Sequence, residues 1–252
     1  MIRADQILVE RGLAQSRTQA QRMIRNHQVR YRLSTQWQIL SKPGQKLNPN
    51  CELQIESCLA DSYVSRGALK LLAALEKAEL TLEGCVALDV GQSTGGFTDC
   101  LLQAGIARVV GIEVGHDQLA SRLRQDPRVI CYEGVNARAL DDSLKQHCRQ
   151  PAGYDLAVMD VSFISQTHIL PSLVPLLAPG ALLISLVKPQ FEVGKAGIGR
   201  GGLVRDSSLY PSVEASVSQC CQTLGMQIEH YFESPITGGD GNREFLLIAR
   251  KQ

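Results

Sequence analysis

An excess of charge of one sign is missing from this chain: 26 Lys and Arg face 25 Asp and Glu over 252 residues, a formal net charge of +1. That balance rules out whole-chain attraction to a polyanion, but it hides an asymmetry. Residues 1–60 carry nine Lys or Arg against four Asp or Glu, and the remainder is mildly acidic. A basic head on an acidic body points to a polyanion partner for the head. The cysteines, at 51, 58, 85, 100, 131, 148, 220 and 221, contain no C-x-x-C pair. The usual metal-ribbon and redox spacings are therefore absent, no metal site is expected, and the thiols read as reduced core residues of a cytoplasmic protein. Met1-Ile2-Arg3-Ala4-Asp5 has no basic flank leading into an apolar stretch, so no secretory leader is expected. One uncharged run, Ile169 to Val187, is long enough to span a bilayer, yet it holds Pro171, Pro175, Pro179 and Gly180. A short helix, a Pro-Gly turn and a buried strand over Ala181–Val187 fit it better, and no membrane span is expected.

The length suits one catalytic domain with a small appended module. In the head, Ser16 can cap a helix running to about Arg25, with Gln19 at the reciprocal capping-box position. Ala20, Met23 and Ile24 form its apolar stripe. An earlier helix, Asp5 to Arg11, is expected to offer Ile7, Leu8 and Leu13 as packing partners. Strands are predicted over Gln28–Leu33, Gln36–Leu40 and Glu52–Glu56, with turns at Lys42-Pro43-Gly44 and Asn48-Pro49-Asn50.

The segments Arg3 to Ala14 and Ser16-Arg17-Thr18-Gln19-Ala20 resemble the S-four RNA-binding domain. The resemblance implies that Arg3, Arg11, Ser16, Arg17, Gln19, Arg22 and Arg25 contact structured RNA, through shape and phosphate. The sequence departs from that family at Asn26-His27, where a glycine is usual. Asn26 is expected to take the left-handed conformation that ends the second helix.

In the body, Val86-Ala87-Leu88-Asp89-Val90-Gly91-Gln92-Ser93-Thr94-Gly95-Gly96-Phe97-Thr98 reads as an apolar strand, a glycine-rich turn and a helix. A second strand, Arg108–Ile112, leads to Glu113 and Val114, and an acid there can accept both hydroxyls of an adenosine ribose. A dinucleotide and S-adenosylmethionine both fit such a turn. The dinucleotide form needs G-x-G-x-x-G, and an acid at Asp89 is unhelpful beside a pyrophosphate but suits a cationic sulfonium. S-adenosylmethionine is therefore favoured, with a ligand-free tight turn as the plain structural alternative. Further strands are expected over Val129–Tyr132, Leu156–Met159, Ala181–Val187, Gln227–Phe232 and Phe245–Ala249. Helical stretches separate the first five, and the last two form an antiparallel hairpin. This is an α/β, Rossmann-like seven-stranded methyltransferase domain over residues 61–252, after a small α+β module over residues 1–60. Asn136 and Ala137 follow the third strand, where they can meet the adenine or simply form a turn.

Asp160 follows the fourth strand, Lys188 the fifth, and Glu244 begins the antiparallel last strand, so all three belong to one sheet edge. Lys70, on the helix after Ser65-Arg66-Gly67, can fold over them. This set resembles the Lys-Asp-Lys-Glu tetrad of FtsJ-type ribose 2′-O-methyltransferases. With the head, the chain resembles the TlyA family, also labelled hemolysin A. The segments that carry this are Tyr63 to Leu71, Asp89 to Asp99, Met159 to Ser165, Val187 to Glu192 and Gly241 to Phe245. The resemblance implies that the substrate is a ribose 2′-hydroxyl of ribosomal RNA, with a cytidine favoured, in a ribosomal subunit, and adds Arg66 to the RNA-contacting residues. A sulfonium already carries a good leaving group, so the protein must chiefly align the hydroxyl and take its proton. Lys188 is the expected proton acceptor, Asp160 orients it, and Lys70 and Glu244 complete the network. Ser162-Phe163 can line the cofactor or stack on an extruded base, with core packing the alternative for Phe163. The segment Gly194–Gly202 is expected to be a mobile substrate loop or a disordered connector, and His116 a surface residue. The competing functions are an RNA-binding protein on a non-catalytic methyltransferase fold and a membrane-active hemolysin.

Overall fold

The computed structural model describes residues 1–14, 16–56, 62–149 and 152–252. The chain divides into two compact units, Met1–Ser62 and Tyr63–Gln252. The boundary expected at residues 60 and 61 lies outside the described residues, as does Cys58. The other seven cysteines are free thiols, with Cys100 and Cys221 buried.

In the first unit, helices α1 (Ala4–Glu10) and α2 (Arg17–Arg25) pack on a three-stranded antiparallel sheet. Its strands β2 (Val29–Leu33), β3 (Gln36–Ile39) and β5 (Leu53–Ile55) run in the spatial order β3-β2-β5. Two short strands, β1 (Ile2–Arg3) and β4 (Lys46–Leu47), form a separate antiparallel pair. Ser16 Oγ accepts the Gln19 N–H at 3.2 Å, capping α2. Ala4, Ile7 and Leu8 meet Ala20, Met23 and Ile24 in the core. Leu13, expected among them, is 38% exposed, and Ala14 is buried instead. The chain turns at Gly12, whose φ is +69°, and Leu13 is carried outward. Asn26 also departs from expectation, with φ −86°, because its N–H still donates to Arg22 O as a further helical turn. The left-handed residue is His27, at φ +59°.

The second unit is a seven-stranded sheet covered on both faces. Its elements are α3 (Ala68–Ala78), β6 (Val86–Val90), α4 (Gly96–Gln103), β7 (Arg108–Glu113), α5 (Ser121–Arg124), β8 (Val129–Glu133), β9 (Tyr154–Met159), α6 (Leu170–Leu173), β10 (Leu177–Val187), α7 (Pro189–Glu192), α8 (Tyr210–Thr223), β11 (Met226–Glu233) and β12 (Phe245–Lys251). The spatial order is β11-β12-β10-β9-β6-β7-β8. The five strands from β8 to β10 are parallel, and β12 runs antiparallel between β10 and β11. Alternation along β6 explains the two covered faces: Val86, Leu88 and Val90 join one apolar cluster, and Ala87 joins the other. Val213, Val217 and Cys221 of α8 enter the first cluster, while Leu71, Ala74 and Leu75 of α3 enter the second.

Two expectations need correction here. The crossover from β8 to β9 contains 3₁₀ turns, Ala137–Ala139 and Asp142–His147, instead of an α-helix, and α5 has only four residues. Pro179-Gly180 does not end an element before the strand: β10 already starts at Leu177, and its register shifts between Leu177 and Leu182. Pro179 and Gly180 are exposed at that irregularity, where a residue without an N–H leaves no ladder donor unmatched. Among the described residues, no helix is long and apolar enough to cross a membrane.

Candidate active site

The chain leaves the sheet centre at β6, builds β7 and β8 on one side, then crosses to β9 and β10 on the other. The crevice between the carboxyl ends of β6 and β9 is therefore the switch point where open α/β sheets bind ligands. Gly91 and Asp160 flank it. The Asp160 N–H donates to Val90 O at 3.0 Å, and a Cβ on Gly91 would lie 2.4 Å from the Asp160 carbonyl oxygen. With φ at +83°, Gly91 is the one side chain type this junction accommodates.

A cavity of 560 Å³ opens beside it, lined by Gly91, Ser93, Glu113, Val114, Asn136, Ala137 and Asp160 among others. Glu113 is held in place before any ligand arrives: Oε2 accepts the Ser93 N–H and Oε1 the Gly115 N–H, both at 2.8 Å. Each oxygen keeps a lone pair for a ribose hydroxyl. Asn136 Oδ1 accepts the Arg138 N–H at 3.0 Å, so this residue forms a turn and also lines the cavity. An adjoining pocket of 80 Å³ is lined by Ser93, Thr94, Gly96, Phe97 and Asp160 together with Ser65. Gly96 lets Ser65 close in, since a Cβ there would sit 2.2 Å from Ser65 Oγ. An acid, a rigid ribose acceptor and a glycine cradle of this size fit S-adenosylmethionine.

Two expected cofactor residues line neither space. Gly95, at φ +93°, serves packing, as a Cβ would meet Leu123 and Leu119. Asp89 is enclosed within β6, where its Oδ2 accepts the Thr98 hydroxyl at 2.6 Å. Burial pushes its pKa up to about 7, the Thr98 bonds oppose this, and the carboxylates of Asp160 and Glu113 add to it. Through Oδ2, Asp89 thus supports the start of α4 from beneath, while its buried Oδ1 has no hydrogen-bond partner. Gln118, which accepts from Ser93 Oγ at 3.2 Å and lines the cavity, gave no sequence signal.

The four tetrad residues come together as two ion pairs. Lys188 Nζ lies 2.6 Å from Asp160 Oδ1 and donates to Ser162 Oγ at 2.9 Å. Lys70, buried in the first turn of α3, pairs with the equally buried Glu244. The link between the pairs is the β10–β12 register. Val187 is opposite Phe245, so the neighbouring Lys188 and Glu244 share one end of the ladder and line a second cavity, of 460 Å³. Ser162 and Phe163 line both this cavity and the larger one. Phe163 is not in the core: it is 91% exposed at a left-handed φ of +65°.

The segment Gly194–Gly202 is neither a connector without structure nor featureless. It forms two 3₁₀ turns, Ile198 bridges Val204, and Asn242 fastens it by accepting the Val204 N–H at 3.1 Å and donating to Gly202 O at 3.0 Å. His116 is exposed.

The residues expected to meet RNA divide by what they already touch. In the first unit, the buried Asp5 accepts from Arg3 Nε and Nη2 (3.0 and 2.9 Å), Arg17 Nε (3.1 Å) and Gln21 Nε2 (2.9 Å). Arg11 donates to the carbonyls of Cys51 and Pro49. Ser16 is a cap and Gln19 the capped residue. Arg22 and Arg25 stand exposed on α2, and Arg66 is exposed in the second unit. Arg3, Arg11 and Arg17 therefore have structural partners that the sequence did not reveal.

Comparison with known proteins accords with this geometry. A model of the FtsJ-like methyltransferase family matches residues 63–251. The chain is 41% identical over 250 residues to the 16S/23S rRNA (cytidine-2′-O)-methyltransferase TlyA of Mycobacterium tuberculosis, covering 99% of this chain and 90% of that protein. It is 37% identical over 184 residues to Hemolysin A of Brachyspira hyodysenteriae, covering 73% of this chain and 75% of that one. A solved structure described as a hemolysin from Streptococcus thermophilus matches with a TM-score of 0.73 at 38% identity, over 99% of this chain and 88% of that one. The chain belongs to the TlyA family of FtsJ-like, S-adenosylmethionine-dependent methyltransferases.

Proposed function

We propose that the protein methylates the 2′-hydroxyl of a ribose, a cytidine by analogy with the M. tuberculosis relative, in ribosomal RNA of an assembled subunit in the cytoplasm. The first unit, of S-four type, supplies RNA affinity through Arg3, Arg11, Arg17, Arg22 and Arg25, with Arg66 adding to it from the second. The observation that carries this reading is the Lys188–Asp160 pair: Asp160 lines the cavity suited to the cofactor, and Lys188 lines the neighbouring one.

Bound S-adenosylmethionine supplies an electrophilic methyl group. Gly91, Ser93, Glu113, Asn136 and Ala137 would hold its nucleoside end, and Asp160, Thr94, Gly96 and Phe97 would hold its methionine end. The acceptor ribose enters beside Lys188. Lys188 Nζ, once its own proton has passed to solvent, receives the hydroxyl proton as the methyl group passes to the ribose oxygen, and Asp160 and Ser162 fix the direction in which Nζ points. Glu244 forms part of the wall of the acceptor cavity, and its pair with Lys70 holds the start of β12 against α3. The protein's contribution is alignment and proton removal, because the leaving group is already activated. Phe163, exposed and lining both cavities, would stack on the extruded target base.

The test is transfer of tritiated methyl groups to 30S and 50S subunits from a strain lacking the modification, followed by mapping of the alkali-resistant linkage. Label on a base, or on neither subunit, would remove ribosomal ribose methylation as the function.

A further inference from the structure

The acceptor cavity has a neighbour that the reaction above leaves unused. A cavity of 500 Å³ shares Phe163, Gln190, Phe191 and Ile198 with it and continues past His168, Glu192 and Lys195. The Phe163 and Phe191 rings line both spaces, with centroids 5.1 Å apart and planes tilted by 49°. Gln190 lies at the same boundary, and its buried side-chain oxygen has no hydrogen-bond donor. Such an atom is costly to leave unmatched and is suited to an amine or hydroxyl from outside.

The surrounding frame is rigid. Glu192 accepts from Ser165 Oγ and from the Gln166 N–H (2.9 Å), and Gln166 in turn is bonded to Ser185 Oγ and Leu186 O in β10. Burial pushes the Glu192 carboxyl above its usual range, the Ser165 and Gln166 bonds counter this, and the group is committed to holding α7 against the segment that bears Phe163. Lys195 is exposed at the rim.

We propose that this second cavity binds the nucleotide adjacent to the methylated one, with its base stacked on Phe191 and hydrogen-bonded by Gln190, and its phosphate near Lys195. The proposal rests on the methyltransferase reading. A polynucleotide whose target ribose sits beside Lys188 must continue on from that cavity. The adjoining space offers what a single-stranded nucleotide requires: an aromatic face, an unmatched polar atom and a cation. The site would account for how the protein keeps one nucleotide extruded while its neighbour is held from re-stacking.

The experiment compares wild type with Phe191→Leu and Phe191→Tyr in methyl transfer to unmodified ribosomal subunits, with cofactor affinity measured by calorimetry. Leucine keeps the apolar packing against Phe163 but has no ring face. The expected result for Phe191→Leu is a loss of about ten- to a hundredfold in kcat/KM, mainly through KM, and unchanged cofactor affinity. Phe191→Tyr should stay within about threefold of wild type, since stacking tolerates the hydroxyl. In parallel, p-benzoylphenylalanine incorporated in place of Phe191 should crosslink to a nucleotide directly beside the methylated one. Full activity of Phe191→Leu, or a crosslink to the methylated nucleotide itself or to none near it, overturns the second site while leaving the methyltransferase reading intact. A wild type that modifies no subunit removes both.

Discussion

Asp160 and Lys188 follow neighbouring parallel strands, β9 and β10, and their side chains meet at 2.6 Å on the sheet's carboxyl edge. The pair bridges two cavities, one shaped for a nucleoside and one open to a larger substrate. It follows that Lys188→Ala should lower methyl transfer by about a hundredfold or more, the usual weight of a positioned proton acceptor. Cofactor affinity, followed by calorimetry, should stay nearly unchanged because Lys188 does not line the nucleoside cavity. Transfer at the wild-type rate would take Lys188 out of the mechanism.

Gly91→Ala should act in the opposite way, on binding. The added Cβ would press on the Asp160 carbonyl at 2.4 Å, in a backbone conformation that costs an alanine about 1–3 kcal/mol. Cofactor affinity should fall at least about tenfold, a shift of roughly 1.4 kcal/mol, and remain low when RNA is added. Normal affinity by calorimetry would mean that the crevice between β6 and β9 is not the cofactor site.

Asp89 predicts a pH dependence of stability. Its folded pKa of about 7 lies above the ordinary 3.8, so the folded chain retains a proton that the unfolded chain releases in between. The stability this supplies is complete below the lower value and is lost as pH rises through the upper one. Asp89→Asn mimics the protonated acid. Between pH 5 and 8 the ligand-free wild type should therefore lose more Tm than Asp89→Asn, and parallel melting curves would contradict a protonated Asp89.

How far the sequence reached can be judged at these residues. Glycine at 91 and an acid at 113 were legible, because a strand-to-helix turn and a ribose acceptor each demand one residue type. Asp89 belongs to the same pattern, but its bond to Thr98 is not legible there, since a carboxylate on a buried strand can also point at its own helix. The tetrad was legible through topology: an antiparallel β12 brings Glu244 to the same edge as Lys188. The separate pairing of Lys70 with Glu244 is not legible, since it depends on how far the Lys70 side chain reaches from α3. β1 and β4 escaped notice because two-residue strands have no periodicity to read. Leu13 was misplaced because one left-handed glycine redirects the residue after it.

Asp5 binds two arginines and a glutamine in the first unit, and its carboxyl is held well below the usual range, first by Arg3, against its own burial, and further by Gln21 and Arg17. Asp5→Asn should destabilise this unit by about 1–3 kcal/mol, discounted for the exposure of both arginines. The sign of the pH effect is the reverse of that at Asp89: the contribution is present above the unfolded pKa and disappears on acidification. Thermal unfolding at pH 7 and pH 3 should show a gap between variant and wild type that narrows at the lower pH.

Arg25, exposed in the last turn of α2, has the simplest RNA prediction. If it meets a phosphate, Arg25→Ala should reduce the slope of log affinity against log salt by about 0.7–0.9, whatever RNA sequence is offered. An unaltered slope in filter-binding titrations would direct attention to another face of the unit.

Lys70 and Glu244 are 174 positions apart, one on the opening helix of the catalytic unit and the other at its closing strand. A clasp of this kind makes chemical competence depend on both extremities at once. Partial opening at either extremity severs it while the interior strands β6, β7 and β9 remain intact, and such openings require less free energy than complete unfolding. Catalysis should thus fade at a lower denaturant concentration than the one that dissolves the fold, with the nucleoside pocket outlasting the acceptor pocket.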